Sequence, residues 1–164
     1  MTTPLTPEER RVLTTCDPWP AEDSALGVVS NPATPGEVLR AAWKFARIVE
    51  VAHSREQSER PRAFRAALYG NPNLPADLLR EALLDGILAA WLNPATPLHL
   101  LECPMPDEER IRALWKVLCA MVGRPDLGNR RPGKIDYAAL YGREGFRQLR
   151  QAFPDDVAAL IDDG

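Results

Sequence analysis

Three stretches of this chain carry the same corner. They are Asn31-Pro32-Ala33-Thr34-Pro35 followed by Val38-Leu39, Asn71-Pro72-Asn73-Leu74-Pro75 followed by Leu78-Leu79, and Asn93-Pro94-Ala95-Thr96-Pro97 followed by Leu100-Leu101. The first proline of each corner disfavours helical geometry at Asn31, Asn71 and Asn93, so a preceding helix must end there. The second proline suits the first turn of a new helix, because its ring fixes φ and its missing N–H has no intrahelical partner. Thr34 and Thr96 stand where an N-cap belongs, with the hydroxyl expected to accept an amide bond, and Glu37 is placed to complete a capping box with Thr34. Each corner therefore joins two helices, and an all-α fold is expected.

A short apolar segment precedes each corner: Ala25 to Val29, Ala66 to Tyr69, and Ile87 to Leu92. The corner asparagines are 40 and 22 residues apart, and the longer interval lengthens the helix after Pro35. There Val38, Leu39, Ala42, Phe45, Ala46, Val49 and Ala52 follow helical spacing, while Glu37, Arg40, Lys44 and Arg47 form the polar stripe. The polar stretch Ser54 to Arg62 reads as the connection to the next unit. Four tryptophans, at positions 19, 43, 91 and 115, are spaced 24, 48 and 24 residues apart. Trp43 lies twelve residues after its corner asparagine and Trp91 two before its own, so they do not share a structural phase and read as packing residues.

The pattern N-P-x-x-P-x-x-[VL]-L after a short apolar helix resembles the variant leucine-rich repeat family over about residues 24–102. That resemblance implies a right-handed solenoid of alternating α and 3₁₀ helices, with units of roughly two dozen residues. A well-known member adds an iron–sulfur cluster on an N-terminal cysteine group. Here Cys16 stands alone, so the resemblance does not extend to the cluster and no cofactor is expected.

At 164 residues and 45% apolar, the chain reads as a single all-α domain. Residues 1–23 would form an N-terminal cap, with Thr6, Pro7 and Glu9 restating the corner logic and Val12 and Leu13 as a buried pair. Residues 24–122 would form a helical-repeat body, a short irregular solenoid of α and short or 3₁₀ helices. Residues 123–164 would add a basic loop and C-terminal helices. Pro106 opens the clearest amphipathic helix, with Ile111, Leu114, Trp115, Leu118, Cys119 and Val122 on one face, Glu108 placed to pair with Arg112, and Gly123 as its stop. Tyr137 to Tyr141 and Arg143 to Phe153 read as helices with Gly142 between them, and Pro154 opens a last one carrying Val157, Leu160 and Ile161. No apolar run is long enough to span a bilayer. Cys16, Cys103 and Cys119, odd in number and widely spaced, read as buried thiols of a reducing, cytoplasmic setting.

No catalytic constellation emerges. His53 and His99 lie in no paired metal spacing, and His99 is expected on the exposed side of a short helix, too poorly supported with Cys103 to close a zinc site. No phosphate-binding glycine loop occurs, and the acidic pairs are adjacent residues, which do not face each other on a helix. A non-enzymatic chain is expected.

Charge is segregated. The net charge is −6 over residues 1–109, +7 over 110–150 and −4 over 151–164. Arg143, Arg147 and Arg150 share one helical face beside the apolar face of Phe146, Leu149 and Phe153. Arg130, Arg131, Lys134 and Arg124 in the preceding loop can add to it. These cations are either an anion-binding surface, for nucleic-acid phosphate or an acidic protein segment, or a solvated face paired with the acidic tail. With an overall pI near 5.5, the first expectation is a protein–protein adaptor with Trp19, Trp43 or Tyr69 as anchors. The second is nucleic-acid or anion binding through Arg130, Arg131, Lys134, Arg143, Arg147 and Arg150. A membrane partner is not expected.

Overall fold

A computed structural model describes Pro7, residues 22–52 and residues 59–162. Every regular element among them is helical: α1 (Glu22–Ser30), α2 (Gly36–Ala52), α3 (Glu59–Tyr69), α4 (Ala76–Leu84), α5 (Leu88–Trp91), α6 (Thr96–Glu102), α7 (Asp107–Met121), a 3₁₀ turn (Pro125–Asn129), α8 (Ala138–Tyr141), α9 (Glu144–Ala152) and α10 (Pro154–Asp162). The expected all-α class holds. No described helix is long and apolar enough to cross a membrane. Of the proposed cap, residues 1–23, only Pro7 and the backbone of Glu22 and Asp23, which open α1, are described, and Cys16, Trp19, His53 and the side chains of Phe45, Arg47, Val49 and Ala52 also lie outside the described residues.

The helices form two compact units, residues 1–79 with 93–95, and residues 80–92 with 96–164. In the first, α3 packs against α1 and α2. Val28, Val29, Val38, Leu39, Ala42, Ala46, Phe64, Leu68, Leu78 and Leu79 are buried, so the described part of the apolar stripe after Pro35, Val38, Leu39, Ala42 and Ala46, faces inward as its spacing predicts. Trp43 is half-buried. The segment expected to be a connection through Arg62 is shorter, because α3 starts at Glu59.

The corners are organised by their asparagines. Each side-chain oxygen accepts the backbone N–H two residues on: Asn31 from Ala33 at 2.9 Å, Asn71 from Asn73 at 2.9 Å, and Asn93 from Ala95 at 2.8 Å. That is the Asx turn. The amide nitrogen faces the other way and joins one corner to the previous one. Asn71 Nδ2 donates to the carbonyls of Val29 at 2.7 Å and Asn31 at 2.8 Å, and Asn93 Nδ2 to those of Tyr69 and Asn71, both at 2.8 Å. Asn71 and Asn93 are buried. An exposed forked ion pair, Arg40 to Asp77 at 2.7 and 2.8 Å, links α2 to α4. Its hydrogen bonds hold the Asp77 carboxyl below its ordinary value and raise the Arg40 guanidinium.

The threonines behave differently from the expected N-caps. Thr34 and Thr96 are buried, and each hydroxyl donates backwards, to the carbonyls of Val28 and, at 2.6 Å, of Ala90. These are last-turn carbonyls of the helix just ended, which lack a helical N–H partner. The threonine therefore closes the helix before the corner, and the capping box with Glu37 does not form. In the middle corner Leu74 occupies the same place and is buried as an apolar residue.

In the second unit the core is Leu83, Ala90, Trp91, Leu114, Trp115, Leu118, Leu140, Phe146, Leu149 and Val157. α7 follows its expected face, with Ile111 and Val122 half-buried, and Glu108 pairs with Arg112 at 2.9 Å. Both indoles donate to backbone carbonyls, Trp91 to Leu83 at 3.1 Å and Trp115 to Leu127 at 3.0 Å. Arg110 Nε meets Asp156 at 2.8 Å and ties α7 to α10, and the Tyr137 hydroxyl donates to the Leu160 carbonyl at 2.8 Å.

Among the described residues two glycines adopt a positive φ, Gly86 at +73° and Gly123 at +76°, each closing a helix by the same pair of backbone bonds. Gly86 N–H donates to Leu83 and Ile87 N–H to Ala82, while Gly123 N–H donates to Ala120 and Arg124 N–H to Cys119. This is the Schellman ending, which favours glycine in the left-handed region.

Candidate functional site

The third corner departs from the other two. α2 and α4 start at Gly36 and Ala76, two residues after Thr34 and Leu74, but α6 starts at Thr96 itself and is stopped after seven residues by the run Cys103-Pro104-Met105-Pro106. Its inward face changes accordingly. Leu39 and Leu79 are buried, whereas their counterpart Leu101 is 78% exposed and Leu98 is 59% exposed. In the third corner Leu100 is half-buried and Leu101 faces solvent. Leu98 and Leu101, three residues apart, present one apolar face.

His99 is the converse case, and a correction. Expected on the exposed side, it is buried, with Nε2 enclosed and without a hydrogen-bond partner. Burial lowers its pKa, the nearby Arg80 charge lowers it further, and Glu102 opposes them. Cys103 is exposed, unlike the buried thiol expected, so it does not share an environment with the His99 side chain. Cys119 is buried as expected, and burial, with Asp126 adding to it, pushes its thiol up to about 11.

The six predicted cations are all exposed. Arg143 is the N-cap residue of α9, and Arg147 and Arg150 follow at helical spacing on that helix, whose adjoining face buries Phe146 and Leu149. Arg147 pairs with Glu144 at 2.6 Å. Arg130, Arg131, Lys134, Arg143 and Arg150 form no ion pair with any described acid. Arg124, beside the loop cations, is held by Asp126 at 3.1 Å, and that pairing lowers the Asp126 carboxyl.

Arg150 has a different partner. Its guanidinium carbon lies 5.5 Å from the centre of the Tyr141 ring, and Tyr141 in turn meets Phe146 edge to face at 5.6 Å. Tyr141 remains 50% exposed. Beside it opens a pocket of about 420 Å³ lined by Tyr141, Arg150, Pro154, Asp155, Ala158 and Ile161.

Of the expected aromatic anchors, Tyr69 is buried, Trp43 is half-buried and Trp19 lies outside the described residues, among which the exposed large apolar residues are Leu98, Leu101 and Tyr141. The only sequence signal for them was the Cys-Pro-Met-Pro stop after α6 and the isolation of Tyr141 between Leu140 and Gly142. The chain matches no protein-family model, no curated protein and no solved structure.

Proposed function

We propose that this chain is a non-enzymatic protein–protein interaction module, a short irregular helical-repeat array of the variant leucine-rich repeat kind with an added helical C-terminal segment. The repeat reading rests on the asparagine bonds: corners 40 and 22 residues apart repeat the same pair of donor contacts to the corner before. The interaction reading rests on Leu98 and Leu101, which keep a two-leucine face in solvent where the equivalent Leu39 and Leu79 are buried. The test is capture of partners by the tagged protein from its native lysate, with and without nuclease. A stoichiometric protein that survives nuclease and is lost from a Leu98→Ser, Leu101→Ser double variant supports the reading. Retention unchanged by the double substitution overturns it.

A second reading, anion binding along Arg130, Arg131, Lys134, Arg143, Arg147 and Arg150, is favoured by the lack of ion pairs with described acids at all of them but Arg147. It requires binding that weakens steeply with salt and is abolished by changing Arg143, Arg147 and Arg150 together to glutamate.

A further inference from the structure

We propose that the pocket beside Arg150 is a docking site for a short partner segment in which a single acidic residue is flanked by a bulky apolar one. This inference rests on the anion-binding reading of the arginine stripe and names the partner chemistry that stripe takes. Three observations converge on it.

The first is the arginine. Its guanidinium lies over the Tyr141 ring and forms no ion pair with a described acid. A guanidinium offers a planar fork of donors matched to a carboxylate, and an arginine already resting on an aromatic face loses less side-chain freedom on binding. Tyr141 is itself held by Phe146, which is fully buried, so the platform is anchored in the core.

The second is the opposite wall. Pro154, Ala158 and Ile161 stand at i, i+4 and i+7 of α10, one face of that helix, and all three line the pocket. A pocket of about 420 Å³ with one apolar wall and one cation has room for a leucine-sized side chain next to a carboxylate.

The third is Asp155 on the same lining. Its carboxylate repels a second negative charge and accepts peptide N–H groups, which a phosphodiester backbone does not supply. A single acid followed by an apolar residue satisfies both charges of the pocket, whereas a run of phosphates places a charge against Asp155. The acidic first turn of α10, Asp155 and Asp156, opposes nucleic acid for the same reason.

The experiment measures fluorescence anisotropy of a fluorescein-labelled Gly-Gly-Ser-Leu-Glu-Leu-Ser-Gly-Gly peptide with the full chain. Two control peptides carry Gln for Glu or Ser for both Leu, and a labelled ten-nucleotide oligothymidylate is measured alongside. Expected is a Kd of about 10–500 μM for the Leu-Glu-Leu peptide, weakened at least about tenfold in each control peptide. Arg150→Gln and, independently, Ala158→Glu in the exposed wall each weaken it at least about tenfold, while Gln148→Ala on the same helix leaves it unchanged. Equal thermal melts of the variants show that folding is retained. Equal binding of the Gln peptide, or binding that Ala158→Glu leaves intact, overturns the pocket. No peptide binding at about 1 mM with oligothymidylate bound overturns the pocket but keeps the stripe as an anion surface. If neither probe binds, both readings fall.

Discussion

Asn71 and Asn31 are 40 residues apart, yet the Asn71 amide nitrogen lies 2.8 Å from the Asn31 carbonyl oxygen, as Asn93 lies from that of Asn71. At the second and third corners one side chain solves two problems. Its oxygen holds the local turn, and its nitrogen donates to two carbonyls of the corner before: that of Asn31 or Asn71, which also accepts the N–H of Thr34 or Leu74 at 3.0 Å, and that of the buried Val29 or Tyr69, a group costly to leave unpaired away from water.

Replacing Asn71 by alanine removes all three bonds and leaves the Val29 and Asn31 carbonyls without that donor. The expected loss is about 2–4 kcal/mol in urea-denaturation experiments. Asn71→Asp should cost at least as much, because it aims an acceptor at two carbonyl oxygens. The exposed Asn73, whose nitrogen reaches the Pro32 carbonyl at 2.7 Å, should cost less than about 1 kcal/mol on the same change to alanine. Equal costs at Asn71 and Asn73 would show that the buried carbonyls do not depend on Asn71.

His99 makes stability pH-dependent. Its folded pKa is lowered from 6.5, chiefly by burial, so the unfolded state binds the proton first. Stability is then complete above about pH 6.5 and falls as pH drops below it. The thermal midpoint should decline between pH 7.5 and 5.5, and His99→Leu should flatten that part of the decline. An identical decline in both proteins would assign it to other groups.

Gly86 and Gly123 share the left-handed conformation but not the space around it. A Cβ on Gly86 would collide with the Lys116 side chain and lie 3.0 Å from the Ala113 carbonyl oxygen, while one on Gly123 meets nothing within 4 Å. Gly123→Ala should cost about 1 kcal/mol, the strain alone, and Gly86→Ala at least about 2 kcal/mol, since α7 must also move. Chemical denaturation of the two variants gives the comparison directly.

The described thiols should separate cleanly by reactivity. In a Cys16→Ser background at pH 7.5, Cys103 should react with a thiol reagent in the native protein. Cys119, buried and pushed up to about 11, should react only on unfolding. Two fast equivalents in the native state would contradict the burial of Cys119.

Much of the fold was legible because proline and glycine act locally. The corners at Asn31, Asn71 and Asn93, the long α2, the face of α7 and its end at Gly123 follow from backbone restriction and helical spacing, which need no distant neighbour. The arginine stripe on α9 was legible for the same reason, being a property of one helix.

What tertiary structure alone decided is where each side chain's hydrogen bond goes and which face of a short helix turns inward. Thr34 looks like an N-cap in sequence, but a hydroxyl proton goes to whichever acceptor is buried nearby, and that is Val28 of the previous helix. Leu101 occupies the same motif position as Leu39 and Leu79, yet two residues of shift in the start of α6 put His99 inside and Leu101 outside. The pocket beside Arg150 joins Tyr141 of α8 to residues of α9 and α10, and no spacing along the chain encodes that meeting. Local rules place breaks and periods; burial, which is shared among elements distant in sequence, chooses the phase and the partners.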